Sequence, residues 1–209
     1  MHFDSGPFVL IRVIRSMKIG LYFGSFNPVH IGHLIIANHL LNETNIEKIW
    51  FILSPQNPFK INHSLLNEYD RLHLLQIATA DDARIKVSDI EFTLPKPSFT
   101  SVTLAHLSER YPEHEFSVIM GSDSFQNLGK WKNFESIVSS YSIYVYTRPG
   151  FPIENSIGAK LVELDAPLLQ ISATGIRELI REGKSIRYMV PENVIDEIEK
   201  GGYYKTKKS

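Results

Sequence analysis

Short apolar runs alternate along the chain with longer stretches whose apolar positions recur every three to four residues. KIGLYF (18–23), KIWFIL (48–53), RIKVS (84–88), FSVIMG (116–121) and YSIYVYT (141–147) read as strands. HIGHLIIANHLLNE (30–43), EYDRLHLLQIATA (68–80), SVTLAHLSERY (101–111) and WKNFESIVSS (131–140) carry the helical period between them. Strands that are nearly all apolar suit a parallel sheet covered on both faces, and their alternation with helices implies βαβ crossovers. The expected fold class is α/β, a doubly wound Rossmann-like parallel sheet. A last strand, KLVEL (160–164), precedes a small helical C-terminal part, with one helix opening near Thr174 and another after Pro191. Gly183 and Gly201 are the expected helix stops, and the tail GGYYKTKKS is expected to fray.

The chain has 209 residues, which suits one compact domain over 17–209. Residues 1–16 read as an N-terminal extension, from an upstream start codon or as an added edge strand; they lack the basic start and cleavage site of a signal peptide. Twenty-two Lys and Arg against twenty-three Asp and Glu leave a net charge of −1, so no general nucleic-acid footprint exists. No apolar run is long enough to span a membrane. The absence of cysteine removes disulfides, thiolate metal sites and cysteine nucleophiles, and points to a cytoplasmic protein. Self-association is left open.

Ligands of open parallel sheets bind beyond the carboxyl ends of the strands. Five polar clusters follow strands: GSFNPVHIGH (24–33), SPQNPFK (54–60), GSDS (121–124), TRPG (147–150) and ISATGIR (171–177). All five should converge on one edge, where their His, Lys, Asp and Arg would make an anion site. Gly24 allows a tight turn and close approach of a ligand to the backbone. His30 and His33 sit about 300° apart around a helix and about 4.5 Å apart in rise, on one face of its first turn, where free N–H groups favour phosphate. His39 falls off that face. Three readings fit the pair: a structural pair capping loop backbone, a metal site that lacks a third ligand, or a phosphate site. Trp50 reads as core, and Arg71 as structural and outside the site.

GSFNPVHIGH resembles the H-x-G-H nucleotidyltransferase signature, G-x-F-D-P-x-H-x-G-H, and ISATGIR resembles its partner, I-S-S-T-x-I-R. Three intervening stretches are similar to the nicotinate-mononucleotide adenylyltransferases: PQNPFK to P-x-x-P-H-K, PSFTSVTL (97–104) to P-S-Y-T-x-x-T-L, and VIMGSDSFQNLGKW (118–131) to I-x-G-x-D followed by Trp. The resemblance spans roughly 17–200. It implies attack of the 5′-phosphate of nicotinate mononucleotide on the α-phosphorus of ATP, giving deamido-NAD and pyrophosphate, with Mg²⁺ riding on the ATP phosphates. It further implies His30, His33, Lys60 and Arg177 as catalytic groups, with Gly24, Ser25, Phe26, Ser172 and Thr174 cradling the nucleotide. Helix capping is the competing role for Ser172 and Thr174. For the acceptor it implies Trp131 as a stacking platform, Thr100 and the backbone around Lys132 as carboxylate donors, Asp123 on a ribose hydroxyl, and Arg148 on phosphate. Helix capping and an exposed ion pair compete for Asp123 and Arg148. Asn27, Phe59, Ala173 and Gly175 depart from the pattern, and Asn27 is given no metal role. The alternatives are a relative using another phosphate acceptor such as phosphopantetheine, or a nucleotide sensor without catalysis.

Overall fold

The computed structural model describes residues 15–56, 65–167 and 169–206. Six strands form one parallel sheet: β1 (Lys18–Gly24), β2 (Lys48–Leu53), β3 (Ile85–Ser88), β4 (Glu115–Gly121), β5 (Ser142–Tyr146) and β6 (Lys160–Leu164). Their order is β3-β2-β1-β4-β5-β6, so the winding reverses between β1 and β4. A crevice opens at that reversal because the loops leaving the two central strands turn to opposite faces. The residues assigned to an N-terminal extension lie, up to Ile14, outside the described residues.

Successive side chains of a strand point to opposite faces, and both faces here are apolar. Ile49, Phe51 and Leu53 of β2 pack on one face with α1 (Ile31–Glu43), α2 (Glu68–Thr79), α6 (Ala173–Arg181) and α7 (Glu192–Gly201). Trp50 and Ile52 pack on the other with α3 (Thr100–Arg110) and α5 (Phe134–Ser140), which confirms Trp50 as core. Leu21 and Val118 of the central strands share that second layer, whereas Tyr22 and Ile119 share the first.

Three local differences from the sequence reading have physical causes. The helix expected over 131–140 begins only at Phe134, because Asn133 takes a left-handed φ of 55° that breaks the preceding 3₁₀ turn from it. A one-turn helix, α4 (Ser122–Phe125), follows β4 and is too short to carry a period. The chain after α7 does not fray through Tyr204. Gly201 is helical and Gly202, at φ 61°, caps it. The Tyr203 N–H donates to the Ile198 carbonyl at 3.0 Å and its hydroxyl donates to Asp70 Oδ1 at 3.2 Å, which docks the segment onto α2. Among the described residues no helix is long and apolar enough to cross a membrane.

Candidate active site

Three adjoining lobes form one cleft at the carboxyl edge of the sheet. The main lobe, about 330 Å³, is lined by the ends of β1 and β4 together with His30, His33, Asp123, Arg148 and Thr174. A narrow side lobe of about 30 Å³ runs between Gly32, Thr147 and Ile171. A third of about 130 Å³ is enclosed by Ser54, Glu91, Ser98, Phe99, Thr100, Trp131 and Lys132. The main and third lobes share a wall of Phe23, Gly24, Ser25, Ser124 and Trp131. Each of the five polar clusters supplies at least one lining residue.

The histidine pair sits at the start of α1, as its spacing requires, with His30 as N-cap and His33 in the first turn. The rings stack at 3.6 Å between centroids and 25° between planes. The His30 N–H donates to His33 Nδ1 at 3.2 Å. A neutral His33 therefore carries its proton on Nε2, which leaves that N–H as its donor. Tyr22 and Phe26 meet the His33 ring edge-on and wall it in. Burial, aided by the Arg148 charge, pushes the His30 pKa down to about 4. Burial, the neighbouring His30 and Arg148 hold His33 well below its ordinary value. Both rings are thus neutral near pH 7 and act as N–H donors, where a pair of cations would repel at this separation. Among the described residues the Nδ1 of His30 is buried without a hydrogen-bond partner.

Gly24 has a different local reason from the expected one. A Cβ there would come within 2.8 Å of the Phe26 ring, so the glycine makes room for Phe26, whose own φ is 42°. Phe26 is buried beneath the loop, and what the cleft meets at Gly24 is main chain. Asn27 is buried and its Oδ1 accepts from the Leu66 N–H at 3.2 Å.

The cationic residues divide. Arg148 lies in the cleft, donating to the Tyr146 hydroxyl at 3.3 Å with its Nε 3.8 Å from Asp123 Oδ1. Burial, the largest single effect, opposes its charge, but Tyr146, Asp123 and Tyr22 together outweigh it and raise the Arg148 pKa above its ordinary value. Arg177, expected on phosphate, is buried outside the cleft lining. It donates to the Asn27 carbonyl at 2.6 Å and to Thr174 Oγ1 at 3.1 Å, so it braces the loop before α1. Lys60 lies outside the described residues. Ser172 caps α6, accepting from the Gly175 N–H at 3.1 Å, and also lines the main lobe. Trp131 faces both large lobes, while Thr100 and Lys132 reach only the third. Among the described residues no group of three or more His, Asp or Glu could hold a metal ion.

Sequence reasoning passed over three residues that shape this cleft, Tyr22, Tyr146 and Glu91, and left a fourth, Arg71, outside it. Tyr22 and Tyr146 look like ordinary strand residues, yet their hydroxyls bond at 3.0 Å beneath the histidines. Arg71, fully buried, donates to the carbonyls of Ser25 (2.7 Å), Ser54 (2.9 Å), Pro55 (2.9 Å) and Leu66 (2.8 Å). It is structural, as read, but the structure it makes is the seam between two cleft loops. Glu91 closes the third lobe.

A family model described as cytidylyltransferase-like matches residues 21–179. The probable nicotinate-nucleotide adenylyltransferase of Flavobacterium johnsoniae is 47% identical over 192 residues, covering 90% of this chain and 100% of its own. The protein of the same description from Cytophaga hutchinsonii is 49% identical over 189 residues, covering 90% and 98%. The structure of Plasmodium falciparum nicotinic acid mononucleotide adenylyltransferase complexed with NaAD matches with a TM-score of 0.74 at 23% identity, over 90% of this chain and 97% of that one. That structural likeness establishes the shared fold, and the sequence relatives narrow it further. The chain belongs to the cytidylyltransferase-like family, in its nicotinate-nucleotide adenylyltransferase group.

Proposed function

We propose that the protein transfers the adenylyl group of ATP to the 5′-phosphate of nicotinate mononucleotide, releasing pyrophosphate and forming deamido-NAD. The observation that carries this reading is the pairing of two lobes across one wall: a donor-rich lobe at the histidine pair and a ring-sized lobe at Trp131. The 47–49% identity to proteins described as nicotinate-nucleotide adenylyltransferases supports it. ATP would lie along the main and side lobes, with its α-phosphate near the wall.

The chemistry needs no protein nucleophile. An oxygen of the acceptor phosphate bonds to the α-phosphorus while the bond from that phosphorus to the α,β-bridging oxygen breaks, and pyrophosphate takes the electron pair. Catalysis reduces to in-line positioning and to donors aimed where charge grows. His33 Nε2–H and the His30 ring supply such donors, and Arg148 adds a fixed positive charge. The amides of Ser25 and Phe26 and the N-terminal turn of α6, with Ser172 and Thr174, extend the cradle. Lys60, which follows β2 in the sequence, would complete it as the family resemblance implies. Arg177 contributes by holding Asn27 in place. ATP would enter as its Mg²⁺ complex, the ion being brought by the nucleotide to help neutralise its phosphate charge.

In the third lobe the pyridine ring would stack on Trp131, its carboxylate meeting Thr100 and the backbone near Lys132. Asp123 would take a ribose hydroxyl. Pyrophosphate release from ATP in the presence of nicotinate mononucleotide, or of its amide, tests the reading. Turnover is expected with the acid, and folded protein inactive with both would refute it.

A further inference from the structure

Glu91 sits in the 3₁₀ turn Ile90–Phe92 after β3, 2% exposed, and forms part of the third lobe. Its Oε2 accepts from Ser98 Oγ at 2.6 Å and its Oε1 from Thr103 Oγ1 at 2.9 Å. Both hydroxyls act as donors, which is the set an ionised carboxylate requires. Burial, the largest effect, leaves the Glu91 pKa above its ordinary value, and the Ser98, Thr103 and Ser54 hydroxyls oppose that cost of burying the charge. Among the described residues no Lys or Arg pairs with this carboxylate.

A buried anion satisfied only by neutral donors keeps its field, because no counter-charge cancels it. That field enters a cavity of about 130 Å³. Glu91 lines it together with the Trp131 and Phe99 rings and Lys132, whose ammonium stands 4.5 Å above the Phe99 ring. The acceptor in the proposed reaction carries a charge complementary to each of these two charged groups. Its ring nitrogen, bonded to ribose, makes the ring a pyridinium cation, and the ring carries a carboxylate.

We infer that Glu91 is a specificity-determining residue whose carboxylate complements the positive charge of a pyridinium ring held in the third lobe. The inference rests on the acceptor assigned under the proposed function. It predicts selection for ring charge, separately from selection for the carboxylate or for shape. A neutral ring of equal size should bind worse for want of attraction to Glu91.

The test compares two acceptors by calorimetry on the ligand-free protein: nicotinate mononucleotide, and the meta-carboxyphenyl C-riboside 5′-phosphate, which replaces the pyridinium by a neutral ring. Wild type should prefer the pyridinium by about tenfold in Kd. Glu91→Gln, isosteric and neutral, should reduce that preference to less than about threefold, whereas Thr103→Val, which loosens the pocket but keeps the charge, should retain it. An undiminished preference in folded Glu91→Gln overturns the inference. Should that variant not fold, the wild-type pair decides, and equal affinity for the two rings overturns it. Pyridinium preference without pyrophosphate release would leave Glu91 in its role and remove the adenylyltransferase reading instead.

Discussion

Lowering the pH should unfold this protein through its histidine pair. His30 is buried, and its folded pKa of about 4 lies below the unfolded value of about 6.5. The folded state therefore binds fewer protons than the unfolded state between those values, so stability is full above pH 6.5 and falls as pH drops towards 4. At pH 4.5 the linkage relation gives a loss of about 2.5 kcal/mol from His30 alone, and about 3.4 kcal/mol once both states are protonated. His33, depressed by the same burial and by its neighbour, adds loss of the same sign. Urea unfolding of wild type and of a His30→Asn variant at pH 7 and pH 4.5 measures the difference, because carboxylate contributions to the acid slope cancel between the two proteins. The variant should lose about 2.5 kcal/mol less than wild type over this interval. Equal losses, or an imidazole signal titrating near pH 6.5 in the folded protein, would refute the claim that these rings are held neutral.

Two further outcomes follow from the cleft. His33→Ala should lower kcat on the order of 10²–10³, or about 3–4 kcal/mol, in adenylyl-transfer assays with thermal unfolding little changed, and a loss below about threefold would make the residue structural. Arg71→Met would strand four backbone carbonyls while removing a buried charge, a net cost of about 3–5 kcal/mol by urea midpoint, and a cost below about 1 kcal/mol would contradict its role as the seam.

The sheet was legible because doubly covered strands must be apolar on both faces. KIWFIL shows this directly: Ile49 and Phe51 enter one layer, Trp50 and Ile52 the other. The convergence of the five clusters was legible from topology, since parallel strands deliver their following loops to one edge. Charge state was not legible. The histidines read from spacing as an anion site, but neutrality comes from Tyr22, Phe26 and Arg148, which approach only through the fold. Arg177 carries the right residue type in a family signature, yet whether a guanidinium faces ligand or loop depends on where Asn27 lies. Arg71 read as structural, but its place at the cleft was hidden for a related reason, because its partners are carbonyl oxygens that every residue possesses. Glu91 stands in IEF, a turn too short to show any period, and its hydroxyl partners lie 7 and 12 positions away.

The main-chain wall at Gly24 has a practical corollary for redesign. Acceptor scope could be altered from the far end of the aromatic lobe, at Phe99 or Lys132, without disturbing the imidazoles, because those two side chains line the third lobe and not the main one. The junction itself would resist editing: any larger residue at position 24 collides with Phe26 before it can reach a guest.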